Sequence, residues 1–389
     1  MRHKILTLNN ISPRGLERLP PDRYDASPKV TSPDAVLVRS RDMTNMDIPR
    51  SVLAVARAGV GVNNIPVAEL SQRGVPVFNA PGANANAVKE LVLASLFLAA
   101  RNICPALAFT RSLTGDDAAI DEAVERGKKQ FVGFELPGRT FGVLGLGAVG
   151  VEVANGALAL GMTVVGYDPL ITVRRAWQLS SSIGQAHSVE NLFSSADVIS
   201  IHVPLSGETR QLVNGSRLKL MRQGGVLLNF ARAPIVDTQA VIAALDAGWL
   251  RAYVCDFPCN ALKDQPNVVA LPHLGASTNE AEDNCAIMAA DALREFLENG
   301  NVRRSVNFPD AVLPRAANTT RIAIANFNVP NMVGQISTYL ASAGLNIADL
   351  LNKSRGDYAY TLIDTDGSVS EDIVARLLGI EGVLSARVV

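Results

Sequence analysis

The sequence predicts an α/β fold in which doubly wound parallel sheets carry helices on both faces, followed by a smaller C-terminal domain of different rhythm. Three observations carry that expectation. Short apolar runs alternate with helical patterns as far as Gly300. A glycine-rich turn separates one such run from a helical segment at Phe141–Leu160. Beyond a proline-bearing stretch, Pro309–Thr320, the order of elements becomes β-α-β-β-α-β, which is ferredoxin-like.

The first strands are expected at Lys4–Leu8, Ala35–Val38, Val52–Arg57 and Val75–Asn79. A helix over Asn86–Ala100 is apolar nearly all round and should be buried. The second set of strands starts at Phe141 and continues through Val164–Tyr167, Val198–Val203, Val226–Phe230, Arg251–Asp256 and Val268–Leu271. A long helix, Thr278–Glu298, should end at Asn299-Gly300, where glycine supplies a C-cap. Pro309–Thr320 has two prolines and no apolar period, so it reads as a linker. The last domain should hold strands at Arg321–Ala325, Ile347–Lys353, Tyr358–Asp364 and Leu384–Val388, with helices at Met332–Ala343 and Ser370–Leu378.

Composition narrows the class. Hydrophobic residues make up 48% and charged residues 19%, as in ordinary globular proteins. A formal net charge of -1 gives no electrostatic drive toward nucleic acid or an anionic membrane, and neither is an expected partner. Met1-Arg2-His3-Lys4 leads into a run too short for a signal peptide. The apolar run Leu91–Ala100, flanked by Glu90 and Arg101, is too short to span a bilayer. Cys104, Cys255, Cys259 and Cys285 lack C-x-x-C spacing and only 4 histidines are present, so no metal site is expected. Unpatterned cysteines suit the reducing cytoplasm.

Gly145, Gly147 and Gly150 stand in G-x-G-x-x-G spacing between the strand Phe141–Leu144 and a helix over Val151–Leu160. Leu146, Ala148 and Val149 fill the turn, and a second strand, Thr163–Tyr167, ends at Asp168. The first glycine allows the tight turn, the second the approach of a pyrophosphate, and the third close packing of helix on strand. Unpaired N–H groups at the helix start favour the phosphates. An acid at Asp168 accepts from a ribose 2′-OH, so the expected cofactor is NAD rather than NADP.

Two later loops, at carboxyl ends of strands where ligands of open α/β sheets bind, add reactive groups. Leu228–Ala233 carries Arg232 and Leu271–Ser277 carries His273. A bidentate arginine can hold a carboxylate and polarise a C2 oxygen, and a histidine can take a hydroxyl proton. Beside NAD, this pair suits hydride transfer to and from a 2-hydroxy acid. Each residue alone also reads as a surface arginine or a structural histidine.

The segments A-R-A-G-V-G-V-N-N at 56–64, P-G-A-N-A-N-A-V-K-E-L at 81–91, the glycine-rich unit, H-V-P-L at 202–205, N-F-A-R at 229–232 and L-P-H-L-G-A-S-T at 271–278 together resemble the D-2-hydroxyacid dehydrogenase family. The resemblance implies a Rossmann-type NAD domain (100–278) inserted in a flavodoxin-like substrate domain (1–99 and 279–308), with a cleft that closes on substrate. It makes Arg232 the substrate-carboxylate arginine and His273 the general acid/base. It extends the NAD site to Val203, Pro204, Thr209, Ala231, Asp256 and Gly275. It also places Arg39, Ser40 and Arg57 in the substrate pocket, where they would grip a phosphate. The implied reaction is oxidation of D-3-phosphoglycerate to 3-phosphohydroxypyruvate, the first step of L-serine biosynthesis. Hydroxypyruvate, glyoxylate or 2-oxoglutarate as the oxo acid remain alternatives.

After a linker at 309–319, residues 320–389 resemble an ACT domain through Asn326-Phe327-Asn328-Val329-Pro330-Asn331 and Gly344-Leu345-Asn346-Ile347. That implies L-serine as effector, held by Asn326, Asn328 and Asn346 at a subunit interface, and a homo-oligomer, dimer or tetramer. The same asparagines would otherwise cap turns in a dimerisation domain.

Two positions depart from the family. Asn260, in Asp256-Phe257-Pro258-Cys259-Asn260, stands where a glutamate partner of the catalytic histidine is expected. Ala233 stands where glycine usually follows the arginine. An amide can orient an imidazole but supplies no charge to favour imidazolium. The chain then either turns over with a weaker histidine partner, uses another acid such as Asp256 or Asp264, or keeps NAD binding as a regulator with little turnover. Intact Arg232 and His273 favour the first.

Overall fold

Ala35–Val38 is buried at every position, which fits a strand inside a parallel sheet covered on both faces. The protein, as a computed structural model, describes residues 2–389 and divides into two compact units, Met1–Ala83 with Asn279–Val389, and Asn84–Thr278. The first unit begins with β1 (His3–Leu8), β2 (Tyr24–Ser27), β3 (Ala35–Val38), β4 (Ala54–Arg57) and β5 (Val77–Phe78). These form a 5-stranded sheet in the order β2-β1-β3-β4-β5, every pair parallel. This is the flavodoxin-like order, with a switch point between β1 and β3. The helix Asn279–Asn299 closes one face, packing Ala286, Ala289, Leu293 and Phe296 against Ile5, Leu37 and Phe78. Val36, Val38, Val55 and Leu70 fill the other.

The second unit holds β6 (Thr140–Leu144), β7 (Thr163–Tyr167), β8 (Gly184–Gln185), β9 (Val198–Ile201), β10 (Gly225–Asn229), β11 (Leu250–Cys255) and β12 (Val268–Ala270). They form a 7-stranded parallel sheet ordered β12-β11-β10-β9-β6-β7-β8. The switch point lies between β6 and β9, neighbours in space that are not consecutive in sequence. Helix Ala85–Ala100 packs on Ala148–Ala159 over one face through Val92, Leu96, Val153 and Ala157. It belongs to this unit, because the boundary falls between Ala83 and Asn84. No single helix among the described residues is long and apolar enough to cross a membrane.

The C-terminal strands are β13 (Thr320–Phe327), β14 (Ile347–Arg355), β15 (Tyr358–Thr365) and β16 (Val383–Val388). Their order, β14-β15-β13-β16 with every pair antiparallel, is the ferredoxin-like one. Helices Met332–Ser342 and Glu371–Leu378 cover one face over Ile322, Ile324 and Ile363. The opposite face, through Ala323, Ala325, Tyr360 and Leu362, joins the core of the first sheet at Phe296, Phe308 and Leu313. The first part of the stretch read as a linker, residues 309–313, is therefore largely packed, while residues 314–318 are exposed. Val302 bridges Ala311 in antiparallel fashion, and Leu313 is buried.

That junction is fixed by one charge pair. Arg321 and Asp364 face each other across β13 and β15, both side chains fully buried, with two N–H···O bonds of 2.7 Å. The remaining guanidinium donors reach the carbonyls of Asn299 (3.1 Å), Leu313 (2.8 Å) and Pro314 (3.0 Å). Such a pair gives little net stability against an apolar replacement, but breaking it strands a buried charge. Asp364→Ala should therefore lower unfolding free energy by about 3–5 kcal/mol in a urea titration, while the double change Arg321→Met with Asp364→Leu should recover most of the loss.

Candidate active site

At the switch point, Leu144 ends β6 and Gly145 turns the chain with φ +95°, its N–H bonded to the Tyr167 carbonyl at 2.8 Å. A Cβ on Gly145 would stand 2.8 Å from the backbone carbon of His202, and one on Gly150 would stand 1.9 Å from the Gly145 oxygen. A Cβ on Gly147, the residue that precedes helix Ala148–Ala159, would meet nothing within 4 Å. The first and third glycines are forced by packing, and the second faces the open space a pyrophosphate needs. Ala148 and Val149 form the first turn of that helix. Asp168 follows β7 and accepts from the Leu146 N–H (2.8 Å) and the Leu170 N–H (2.9 Å). Its carboxylate is thereby oriented, with lone pairs left for a ribose. These residues fit NAD.

His202 lies behind the turn. Its N–H bonds to the Leu144 carbonyl at 2.7 Å and its Nε2 lies 2.7 Å from the Ser200 hydroxyl, while Nδ1 is buried without a partner. Burial pushes its pKa down to about 3, so the ring is neutral and serves packing. The Val203 side chain closes on the Gly145 turn. Thr209 donates to the Pro204 carbonyl (2.6 Å) and accepts from Ser206 N–H (2.7 Å), which folds the segment after β9.

Arg232 is exposed on the loop after β10, its Nη1 bonded to the Ala231 carbonyl at 2.6 Å. Fully buried Asn229 shapes this loop, accepting from Ala231 N–H (3.1 Å) and donating to the Arg232 carbonyl (3.1 Å). Ala233 opens a short 3-10 turn, Ala233–Ile235, with no positive φ, so its Cβ brings no backbone strain.

His273 is exposed on the loop after β12 and holds the left-handed conformation, φ +57°. That conformation costs a residue with a Cβ about 1–2 kcal/mol. Asp256, only 2% exposed at the end of β11, opposes that cost. Its two oxygens accept from Leu274 N–H (2.6 Å) and Gly275 N–H (2.7 Å), pinning the chain just past the histidine. The imidazole stands edge-on to Phe257, ring centres 5.4 Å apart. Asn260 is exposed at the start of the next turn. Asp264 is exposed beside Lys263 at 3.8 Å.

In the other unit, Arg39 and Arg57 lie at the carboxyl ends of β3 and β4. Arg39 is ion-paired with Glu282, and Arg57 donates to the carbonyls of Arg39 (2.9 Å) and Gly61. Asn9, itself left-handed at φ +69°, holds the Ser40 and Arg41 N–H groups at 3.1 and 2.5 Å. The buried Cys285 thiol nearby is pushed up to about 11 by burial and stays protonated.

The three C-terminal asparagines do not meet. Asn326 is buried and donates to the Phe327 carbonyl at 2.7 Å, and Asn328 donates to Gly356 at 3.0 Å. Asn346 binds Asp366 at 2.6 Å, beside the Thr365 end of β15, whereas Asn326 and Asn328 lie at its Tyr358 end.

Three supporting residues, Asn229, Asn9 and Glu282, emerge only with the structure. The asparagine in N-F-A-R, directly before the reactive loop, was the available signal for the first; nothing local marks the other two.

Residues 103–275 match the model of the D-isomer specific 2-hydroxyacid dehydrogenase, NAD binding domain. The chain is 32% identical to D-3-phosphoglycerate dehydrogenase of Haemophilus influenzae over 348 residues, 87% of this chain and 81% of that protein. It is 36% identical to D-3-phosphoglycerate dehydrogenase of Archaeoglobus fulgidus over 71% of this chain, and spans 52% of that longer protein. Other matched relatives are likewise spanned over about half their length, at 52% and 53%. Among solved structures, cofactor(NAD+)-bound 3-phosphoglycerate dehydrogenase of Entamoeba histolytica superposes with a TM-score of 0.60 at 25% identity, covering 79% of this chain and 99% of that one. With the glycine turn, Asp168, Arg232 and His273 at the carboxyl edge of one parallel sheet, the chain belongs to the D-isomer specific 2-hydroxyacid dehydrogenase family.

Proposed function

We propose that this chain oxidises D-3-phosphoglycerate to 3-phosphohydroxypyruvate with NAD, the first step of L-serine biosynthesis. The observation that carries the reading is the Asp256 clamp, which holds the His273 loop on the same sheet edge as the open Gly147 turn. Relatives named D-3-phosphoglycerate dehydrogenase support the choice of substrate. When bound, NAD accepts the hydride that leaves C2. His273 takes the proton of the C2 hydroxyl as the carbon–oxygen double bond forms, and returns it in the reverse direction. Arg232 holds the carboxylate and polarises the C2 oxygen. Arg39, Ser40 and Arg57 are assigned to the phosphate, for which Arg39 must share or release Glu282.

Intact Arg232 and His273 favour turnover, with Asn260 as a weaker histidine partner than a glutamate. The C-terminal sheet is assigned a regulatory role. A serine site that used Asn326, Asn328 and Asn346 together would need a second copy of the chain, since one copy holds them at opposite ends of β15.

An assay of NADH oxidation by 3-phosphohydroxypyruvate, run beside an NADH fluorescence titration, tests the reading; tight NADH binding without oxidation defeats it. His273→Ala should lower kcat by about 10²–10⁴ and leave NADH binding intact. Asn260→Glu should favour imidazolium, and so shift the pH profile of the oxidation upward by about one unit or more. An unchanged profile would show that residue 260 does not partner His273. Asp168→Ala should weaken NAD binding and narrow the preference over NADP, read as the ratio of kcat/KM for the two cofactors. Arg39→Ala should raise KM for the phosphorylated substrate while leaving that for hydroxypyruvate unchanged; equal effects on both would remove Arg39 from the phosphate site.

A further inference from the structure

In the first unit a cavity of about 460 Å³ lies where β16 meets the segments around Val52 and Gly74. Arg50, Arg73 and Arg387 line it, and no aspartate or glutamate does. Ser385 and Tyr360 add polar atoms to the wall, Ser385 donating to the Gly74 carbonyl at 3.1 Å.

The cations there are poorly neutralised. Arg387 donates to the Phe296 and Leu297 carbonyls, in the last turn of helix Asn279–Asn299, and its guanidinium lies 4.5 Å from the centre of the Phe296 ring. Its guanidinium thus meets backbone carbonyls and an aromatic ring, and burial pushes its pKa below the ordinary value. Tyr360, whose hydroxyl is hydrogen-bonded to Arg387, and then Asp34 oppose that shift more weakly. Arg73 donates to the Ile48 and Pro49 carbonyls at 3.0 and 2.8 Å, and its one ion pair is a 3.6 Å contact to exposed Glu69. Arg50 is exposed. Guanidinium groups gathered in a partly enclosed space repel one another and keep unused donors, and planar forks of this kind match carboxylate and phosphate oxygens.

We propose that this cavity binds a small polyvalent anion bearing phosphate or carboxylate groups, bridging Arg387 of the C-terminal sheet to Arg50 and Arg73. The site lies outside the proposed catalytic residues and does not depend on the dehydrogenase reading. An anion there ties β16 to the segments after Pro49 and Gln72, and so stabilises the docking of the C-terminal sheet.

Thermal unfolding of the full chain, titrated with inorganic phosphate and separately with citrate at ionic strength held constant with sodium chloride, tests this. The expected result is a saturable rise in Tm with at least one of the two. Arg50→Ala should weaken the apparent affinity about ten-fold, and Arg50→Lys less, with NADH binding unchanged in both. Arg39→Ala should keep the response. No rise beyond sodium chloride alone overturns the proposal. So does a response that Arg50→Ala leaves intact; its loss in Arg39→Ala would then move the anion to the proposed substrate site. Circular dichroism of Arg50→Ala, with Arg50→Gln as a second variant, separates lost binding from lost folding.

Discussion

Buried Asp256 accepts from two consecutive loop N–H groups, and the reactive edge of the seven-stranded sheet depends on that arrangement. A parallel sheet delivers every loop at its carboxyl edge with backbone groups that no ladder satisfies. A carboxylate at a strand end would be costly to bury without donors. Each need answers the other. Part-buried Asp168 likewise accepts from the Leu146 and Leu170 N–H groups, and Asn229 accepts from the Ala231 N–H while donating to the Arg232 carbonyl. The loops that would meet substrate or cofactor are therefore positioned by a few strand-end polar groups.

The legible part of this fold was the part with local signals. β3, β9 and β10 are mainly apolar and buried at every position, and helix Ala85–Ala100 shows its apolar surface in sequence. The glycine turn could be read because three small residues at fixed spacing have few other uses. Edge strands β2 and β8 were illegible. Tyr24–Ser27 alternates poorly, and Gly184–Gln185 is two exposed residues held by one neighbour. The first part of the expected linker misled because its prolines say nothing of what packs on them, and Leu313 joins a core that includes Ile5, Leu37 and Leu293.

The site divides the same way. Arg232 and His273 were found from their loops, but their supports depend on tertiary approach. Glu282 meets Arg39 across 243 positions of sequence, and Asn9 meets Ser40 across 31. Asp256 was assigned to the cofactor from resemblance, and the structure gives it a second task, on the loop backbone. Asn326 and Asn346 lie twenty residues apart in sequence, on elements that run to opposite ends of the same sheet.

The burial of one face of the C-terminal sheet against Phe296, Phe308 and Leu313 has a consequence for how such a protein is put together. A domain joined by a loose tether can be gained, lost or exchanged by cutting the tether, and each piece keeps its own interior. Here the same cut would bare an apolar sheet face on one piece and an apolar pit on the other. It would also take from Arg321 the carbonyls of Leu313 and Pro314. In this chain the C-terminal segment and the body it covers share one interior. A change of shape in the C-terminal sheet would be felt directly at Phe296 and Phe308, with no swinging arm between.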